Sequence, residues 1–339
     1  MFVVFYITLI NLFWNLLKIR CTSLMPRCEK PKHISKCLEL AILFEVSTAK
    51  PGNVNFTVGF EGTRIEHFLA SAVAACPSFE EAARRGIAVL DKRQRVNDVG
   101  MGETIKNCVV DIEAWQKGGN TLLGTVIMFV PIAVAAGMTP TTGNFDFEFP
   151  RLRDNLKLAV ESTTAEDAVH LYEAVKVAKP SGLNKAPDLD VNDPRSKERI
   201  LKENVSLFQV FKIAAGYDDV CAEWVHNYPI TFDLAYPYLM NQLKRGDLST
   251  AIVHTFLKVL SDHPDTFVAR KVGLEKARAV SLTAKKVLDS GGMETAEGRK
   301  GILEFDRELR ASGNLLNPGT TADLIATSLA LCTLSGYRP

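Results

Sequence analysis

From residue 34 onward, apolar positions recur every three to four residues, the period of a helix that buries one face. The spacing predicts helices over 34–46, 63–90, 103–117, 121–137, 151–160 and 164–178. It continues over 195–214, 217–227, 230–245, 247–261, 272–289, 294–311 and 320–335. Period-two alternation, the mark of a half-buried strand, is rare. Helices are separated by Pro51-Gly52, Gly118-Gly119, Pro180-Ser181-Gly182, Gly291-Gly292 and Asn317-Pro318-Gly319. Gly291-Gly292 fits a helix C-cap. The polar stretch Lys179–Lys202 reads as an ordered loop over a site, and no low-complexity linker divides the chain. The expected fold is all-α, a single multi-helix globular domain over residues 25–339.

Composition adds limits. A chain of 339 residues, 47% hydrophobic and 23% charged, can bury a large core. Its net charge of +1 provides no global field toward nucleic acid or acidic membrane, so any anion must be held by local clusters. The seven cysteines, Cys21, Cys28, Cys37, Cys76, Cys108, Cys221 and Cys332, form no C-x-x-C pair. That argues against structural zinc and a disulfide framework, and for a reducing cytoplasm. Phe2–Leu17 is almost wholly apolar, followed by Lys18 and Arg20. It is short for a membrane span and lacks the preceding charge of a secretory signal. Residues 1–24 are therefore expected to be an extension ahead of the domain, from an upstream start codon or, less simply, an anchor helix.

Five segments carry residues suited to chemistry, and each also has an ordinary structural reading. Glu45 closes a helix ahead of Lys50-Pro51-Gly52-Asn53, which could set a cation and amides beside a phosphate or merely turn the chain. Asn120 or Thr121 opens the very apolar Thr125–Ala136, as an anion site or only as a cap. Glu223 and Asp233 lie in apolar surroundings, where a carboxylate binds a metal, transfers protons or faces solvent. Asp262-His263-Pro264-Asp265-Thr266 with Arg270-Lys271 could supply both metal ligands and cations to a polyphosphate, or form a charged turn. Asp323, after Asn317-Pro318-Gly319-Thr320-Thr321, is explained by the dipole of the last helix. The chain has no G-x-x-x-x-G-K-[ST] loop, dinucleotide fingerprint, G-x-S-x-G elbow or H-E-x-x-H.

The order of these segments resembles the triphosphoribosyl-dephospho-CoA synthase family. Glu45-Val46-Ser47 with Lys50-Pro51-Gly52-Asn53-Val54 resembles its E-V-S-x-x-K-P-G-x-V opening, and Gly119-Asn120-Thr121 with Gly124 its N-T-H-K-G stretch. Glu223 with Tyr228-Pro229 resembles G-x-R-G-E-A…Y-P, and Asp265-Thr266 with Arg270 resembles D-T-N-x-x-x-R-G-G. Phe305-Asp306-Arg307 and Asn317-Pro318-Gly319 with Ala322-Asp323-Leu324 resemble F-D-R…S-P-G-G-S-A-D-L. Leu122-Leu123 replaces the family His-Lys, Cys221-Ala222 an Arg-Gly, and Lys271-Val272 a double Gly, as in a shorter-motif, archaeal-type branch.

The resemblance implies a transferase with a nucleotide cleft between helices. In the family reaction the 2′-hydroxyl of 3′-dephospho-CoA attacks the ribose anomeric carbon of ATP; adenine leaves and the triphosphate stays on the ribose. It implies Glu45, Glu223 and Asp265 as catalytic carboxylates, with Glu223 and Asp265 also holding Mg²⁺. Lys50, Asn120, Thr121 and Arg270 would bind the ATP triphosphate. All six of Glu45, Lys50, Asn120, Glu223, Asp265 and Arg270 are expected to line one cleft. ATP and dephospho-CoA are the implied partners, without nucleic acid and without a membrane unless the extension provides one; a homo-oligomer is left open. The lost His and Lys leave room for a different acceptor in an archaeal cofactor pathway, and a non-catalytic helical nucleotide-binding protein is the third reading.

Overall fold

The computed structural model describes residues 29–143 and 145–339. The expected extension, residues 1–24, lies outside them. The first helix, α1, runs over 29–47. It is followed by α2 (Ile65–Leu90), α3 (Met101–Trp115), α4 (Leu123–Met138), α5 (Phe149–Glu161), α6 (Ala165–Ala178) and α7 (Arg195–Glu203). Next come α8 (Leu207–Ala214), α9 (Asp219–Val225), a π-helical segment (Ile230–Ala235) and α10 (Tyr236–Leu243). The chain ends in α11 (Leu248–Asp262), α12 (Thr266–Val272), α13 (Leu274–Asp289), α14 (Ala296–Arg310) and α15 (Gly319–Leu334). A two-residue hairpin, Thr141–Thr142 with Asp146–Phe147, is the sheet structure among the described residues. The expectation of an all-α fold holds, and no described helix is long and apolar enough to cross a membrane.

Two helices form the axis. Every residue of α4 but Gly124 is buried, and α15 is buried from Leu324 to Leu334. A helix apolar on all sides needs neighbours on all sides, and α2, α3, α5, α9, α10, α11 and α12 pack around this pair. At one crossing α2 and α4 meet backbone to backbone. A Cβ on Gly86 would lie 2.1 Å from the Val134 carbonyl oxygen, and one on Gly137 would lie 2.3 Å from that of Ala83. The main core runs from Ile34 of α1 to Leu334 of α15, and Val46, Val54 and Ile65 form a small second cluster.

Pro131 sits inside α4 and has no N–H for the carbonyl of Ile127. That oxygen instead accepts the indole N–H of Trp224 at 3.1 Å, and the next carbonyl, Met128, accepts the Tyr228 hydroxyl at 3.2 Å. Both aromatic side chains are fully buried. These bonds fasten α9 and the turn after it to the middle of α4. In that turn Asn227 and Tyr228 adopt φ of 62° and 57°. Left-handed backbone is costly for a bulky residue, and the buried hydroxyl bond of Tyr228 holds it there.

The single helix expected over 195–214 is two. Asn204 ends α7 in the left-handed conformation at φ 52°. Ser206 then starts α8 with a capping box: its hydroxyl accepts the Gln209 amide, and the Gln209 side chain accepts the Ser206 amide. The described cysteines, Cys37, Cys76, Cys108, Cys221 and Cys332, are free thiols.

Candidate functional site

Helix ends, rather than helix faces, converge on one large cavity of about 800 Å³. Its wall is formed by the end of α1, the loops before α4 and α15, and the first turns of those two helices. Part of α6, the loop 180–191, the end of α8, the start of α9 and α12 complete it. Of the polar stretch 179–202, the part before α7 lines the cavity, from Pro180 to Val191, and the rest enters α7. The N-termini of α4 and α15 both open onto the cavity, so two long helices direct the positive ends of their dipoles at one space.

Four of the expected site residues line this cavity: Glu45, Asn120, Thr121 and Arg270. Glu45 is fixed by Lys50, whose ammonium lies 3.0 Å from the carboxylate and also donates to the carbonyls of Glu45 and Thr48. The Asn120 side-chain oxygen accepts the Leu123 amide at 3.1 Å, and Thr121 shares a 2.7 Å hydroxyl bond with Ser71. Arg270 pairs with Asp218 and stacks over the Phe267 ring, 5.6 Å from its centroid. Its Nε is buried with no hydrogen-bond partner, as is the side-chain oxygen of Asn317 in the same wall.

The other three lie behind the wall. Lys50 is 1% exposed and spends its charge on the end of α1. Glu223 is fully buried and its two oxygens accept the amides of Ile230 at 2.8 Å and Thr231 at 3.0 Å, capping the π-helical segment. Asp265 caps α12 through the Val268 amide at 2.9 Å. Its second oxygen accepts the amide and hydroxyl of Thr321 at 2.7 and 2.8 Å, tying α12 to the start of α15. The oxygens expected to hold Mg²⁺ are thus already engaged within the protein. Glu223 and Asp265 direct their oxygens at backbone N–H groups, which compete with a cation for the same lone pairs. No group of three or more His, Cys, Asp or Glu side chains suited to a metal ion occurs among the described residues.

Asp233, also weighed from the sequence, forms a two-pronged ion pair with Arg153 at 2.6 and 2.7 Å. Asp306 accepts the Gly52 amide at 2.8 Å and pairs with Arg310, so α14 clamps the turn after α1.

The residue that sequence reasoning passed over is Asp323. Its carboxylate faces the cavity and accepts the Thr125 hydroxyl at 2.5 Å. A Cβ on Gly124 would lie 2.1 Å from its other oxygen, so a glycine at the start of α4 makes room for it. A signal was present: Asp323 is the one charged residue of Gly319–Leu334.

The acids here disfavour their own ionisation. Burial, reinforced by the fields of Glu45 and Asp265, outweighs the Thr125 bond and pushes Asp323 up to about 7. Burial and then the charges of Asp265 and Asp218 push Asp219 up to about 7. Burial also raises Glu223 to about 7 and moves Asp265 upward.

Comparisons with known proteins agree with one another. Residues 31–339 match the family described as CitG, ATP:dephospho-CoA triphosphoribosyl transferase. A protein of Pseudomonas syringae pv. tomato, described as a probable 2-(5''-triphosphoribosyl)-3'-dephosphocoenzyme-A synthase, is 30% identical over 105 residues, 31% of this chain and 35% of its own. A protein of Pseudomonas fluorescens with the same description is 35% identical over 95 residues, 26% of this chain and 32% of its own. The chain thus spans about a third of the length of these curated relatives. A solved structure from Archaeoglobus fulgidus, described as a candidate triphosphoribosyl-dephospho-CoA synthase, superposes with a TM-score of 0.57 at 23% identity. It covers 80% of this chain and 100% of its own, a likeness of fold.

Proposed function

The chain belongs to the CitG family of ATP:dephospho-CoA triphosphoribosyl transferases, and from that membership we propose that its cavity joins the ribose of ATP to the 2′-hydroxyl of 3′-dephospho-CoA. Adenine leaves and all three phosphates stay on the ribose. The observation that carries this reading is convergence: Glu45, Asn120, Thr121, Arg270 and Asp323 come from four distant segments and line one wall.

The triphosphate is placed over the N-termini of α4 and α15, whose amides and dipoles favour an anion. Arg270, with its unpartnered Nε, and Asn120 and Thr121 bound its sides. Displacement at an anomeric carbon develops positive charge on the sugar, which the carboxylates of the wall stabilise. Glu45, held in place by Lys50, is the one nearest the end of α1. Glu223 and Asp265 contribute by position: they hold the π-helical segment, α12 and α15 in register behind the wall.

The wall carries the acids Glu45, Asp188, Asp190, Asp218 and Asp323 against Lys185 and Arg270. Such a surface repels a bare triphosphate. Mg²⁺ is accordingly placed on the ATP phosphates as part of the substrate, and no step is assigned to a resident metal. The cytoplasm, where ATP and dephospho-CoA are at hand, is the proposed compartment.

The test is product analysis. Purified protein with ATP, Mg²⁺ and dephospho-CoA should release free adenine in equal amount to a product heavier by a triphosphoribosyl group. Release of ADP or inorganic phosphate without adenine would overturn the reading.

A further inference from the structure

We propose that Asp323 is the general base of the transfer, taking the proton of the acceptor hydroxyl as that oxygen bonds to the anomeric carbon. The inference rests on the transferase reading above and assigns a residue to its proton step.

An acid one turn into a helix that is otherwise buried and uncharged is unfavourable, and an apolar residue would pack there more easily. Asp323 is nevertheless accommodated by a purpose-shaped space. Gly124 leaves out the one side-chain atom that would collide with it, and Thr125 aims a hydroxyl at it.

The other acids of the same wall are engaged elsewhere. Glu45 is held in an ion pair with Lys50. Asp218 accepts the amides of Val220 and Cys221 and pairs with Arg270. Asp190 accepts the amides of Ala186 and Asn192, and Asp188 pairs with Arg199. Each of these carboxylates already has a cation or backbone amides engaged with its oxygens. Asp323 is held by the hydroxyl and amide of Thr125, and among the described residues no ion pair with a cation engages it.

The charged groups bearing on Asp323 are Glu45 from the end of α1 and Asp265 from the start of α12; from α4, the uncharged Gly124 and Thr125 adjoin it. Both are acidic and both strengthen it as a base. Its pKa of about 7 leaves it partly ionised at neutral pH with high proton affinity, the compromise that general-base catalysis favours.

The step closes as follows. The hydroxyl oxygen supplies the electron pair of the new C–O bond, and the pair of the C1′–N9 bond leaves with adenine. The hydroxyl proton passes to Asp323 and on to solvent, and adenine takes one proton from solvent.

The test uses the full-length enzyme, assayed for adenine release with ATP, Mg²⁺ and dephospho-CoA. Asp323→Asn keeps an oxygen for Thr125, so the fold should persist. Its kcat should fall about 100- to 10,000-fold, with KM for ATP changed by less than about threefold. Wild-type kcat should rise with pH around a midpoint of about 7, since the base acts when deprotonated, and the variant should lose that limb. Thr125→Val, which removes the larger of the two Thr125 bonds that lower the pKa, should move the limb to higher pH. An Asp323→Asn enzyme within about threefold of wild-type kcat, or one keeping the limb, overturns the assignment. Wild-type protein that releases no adenine overturns the transferase reading instead. The base is then judged by infrared titration without substrate. A protonated-carboxyl band lost over roughly pH 6 to 8 that is weaker by one carboxyl in Asp323→Asn, with the contributions of Glu223 and Asp219 kept, supports it. Identical spectra reject it.

Discussion

Gly124→Ala should fold as well as the native protein and lose about 100- to 1,000-fold in turnover. The backbone does not require glycine: Gly124 lies at the start of α4 without a positive φ, and alanine is the better helix former by about 0.5–1 kcal/mol. The added Cβ would meet one carboxylate oxygen of Asp323 at 2.1 Å and its carbon at 2.8 Å, so the carboxylate must move. Asp323 is a short side chain on a packed helix, and Thr125 binds its other oxygen. It has little freedom to yield except by leaving its place in the wall. Melting temperature and kcat, measured together, check this. Turnover within about threefold of wild type would show that the carboxylate position is unimportant.

Asp265→Ala should act in the opposite way, through stability. One carboxylate oxygen caps α12 and the other holds the Thr321 amide and hydroxyl at the start of α15, all in a site 1% exposed. Alanine leaves these donors buried and unsatisfied, at about 1–3 kcal/mol each, together with the loss of a helix cap. A loss of at least about 3 kcal/mol in urea unfolding is expected. Asp265→Asn retains one acceptor oxygen and should fall between the two. If Asp265→Ala unfolds at the wild-type urea concentration, the carboxylate does not bind α12 to α15. Raised Mg²⁺ should rescue neither variant, because the oxygens are directed at backbone amides.

The all-helical architecture was legible because burial of one face leaves a 3.6-residue trace. Where it failed, the failure has a cause. Ile200, Leu207 and Phe211 keep helical spacing across the break at Asn204, so the apolar pattern reads through two helices as one. Helix α12 has seven residues and buries only Val268 among them, so no apolar period marks it. The site residues divide similarly. Segments that end helices at Glu45 and start them at Asn120 were found from their caps and turns, which are local in sequence. Glu223 and Asp265 were recognised as acids in apolar surroundings, but sequence does not distinguish a backbone amide from a metal ion as the partner. Asp323 was credited to the dipole of its own helix. Its decisive contacts, with Gly124 and Thr125, lie across nearly two hundred residues of chain and exist only after α4 and α15 pack side by side.

The most direct test of the central claim is a crystal structure of the enzyme with Mg²⁺ and ATP. The account predicts the triphosphate over the N-termini of α4 and α15, with Arg270 alongside and the anomeric carbon of the ribose facing Asp323. A nucleotide bound outside this cavity, or bound within it with its ribose turned away from Asp323, would contradict it.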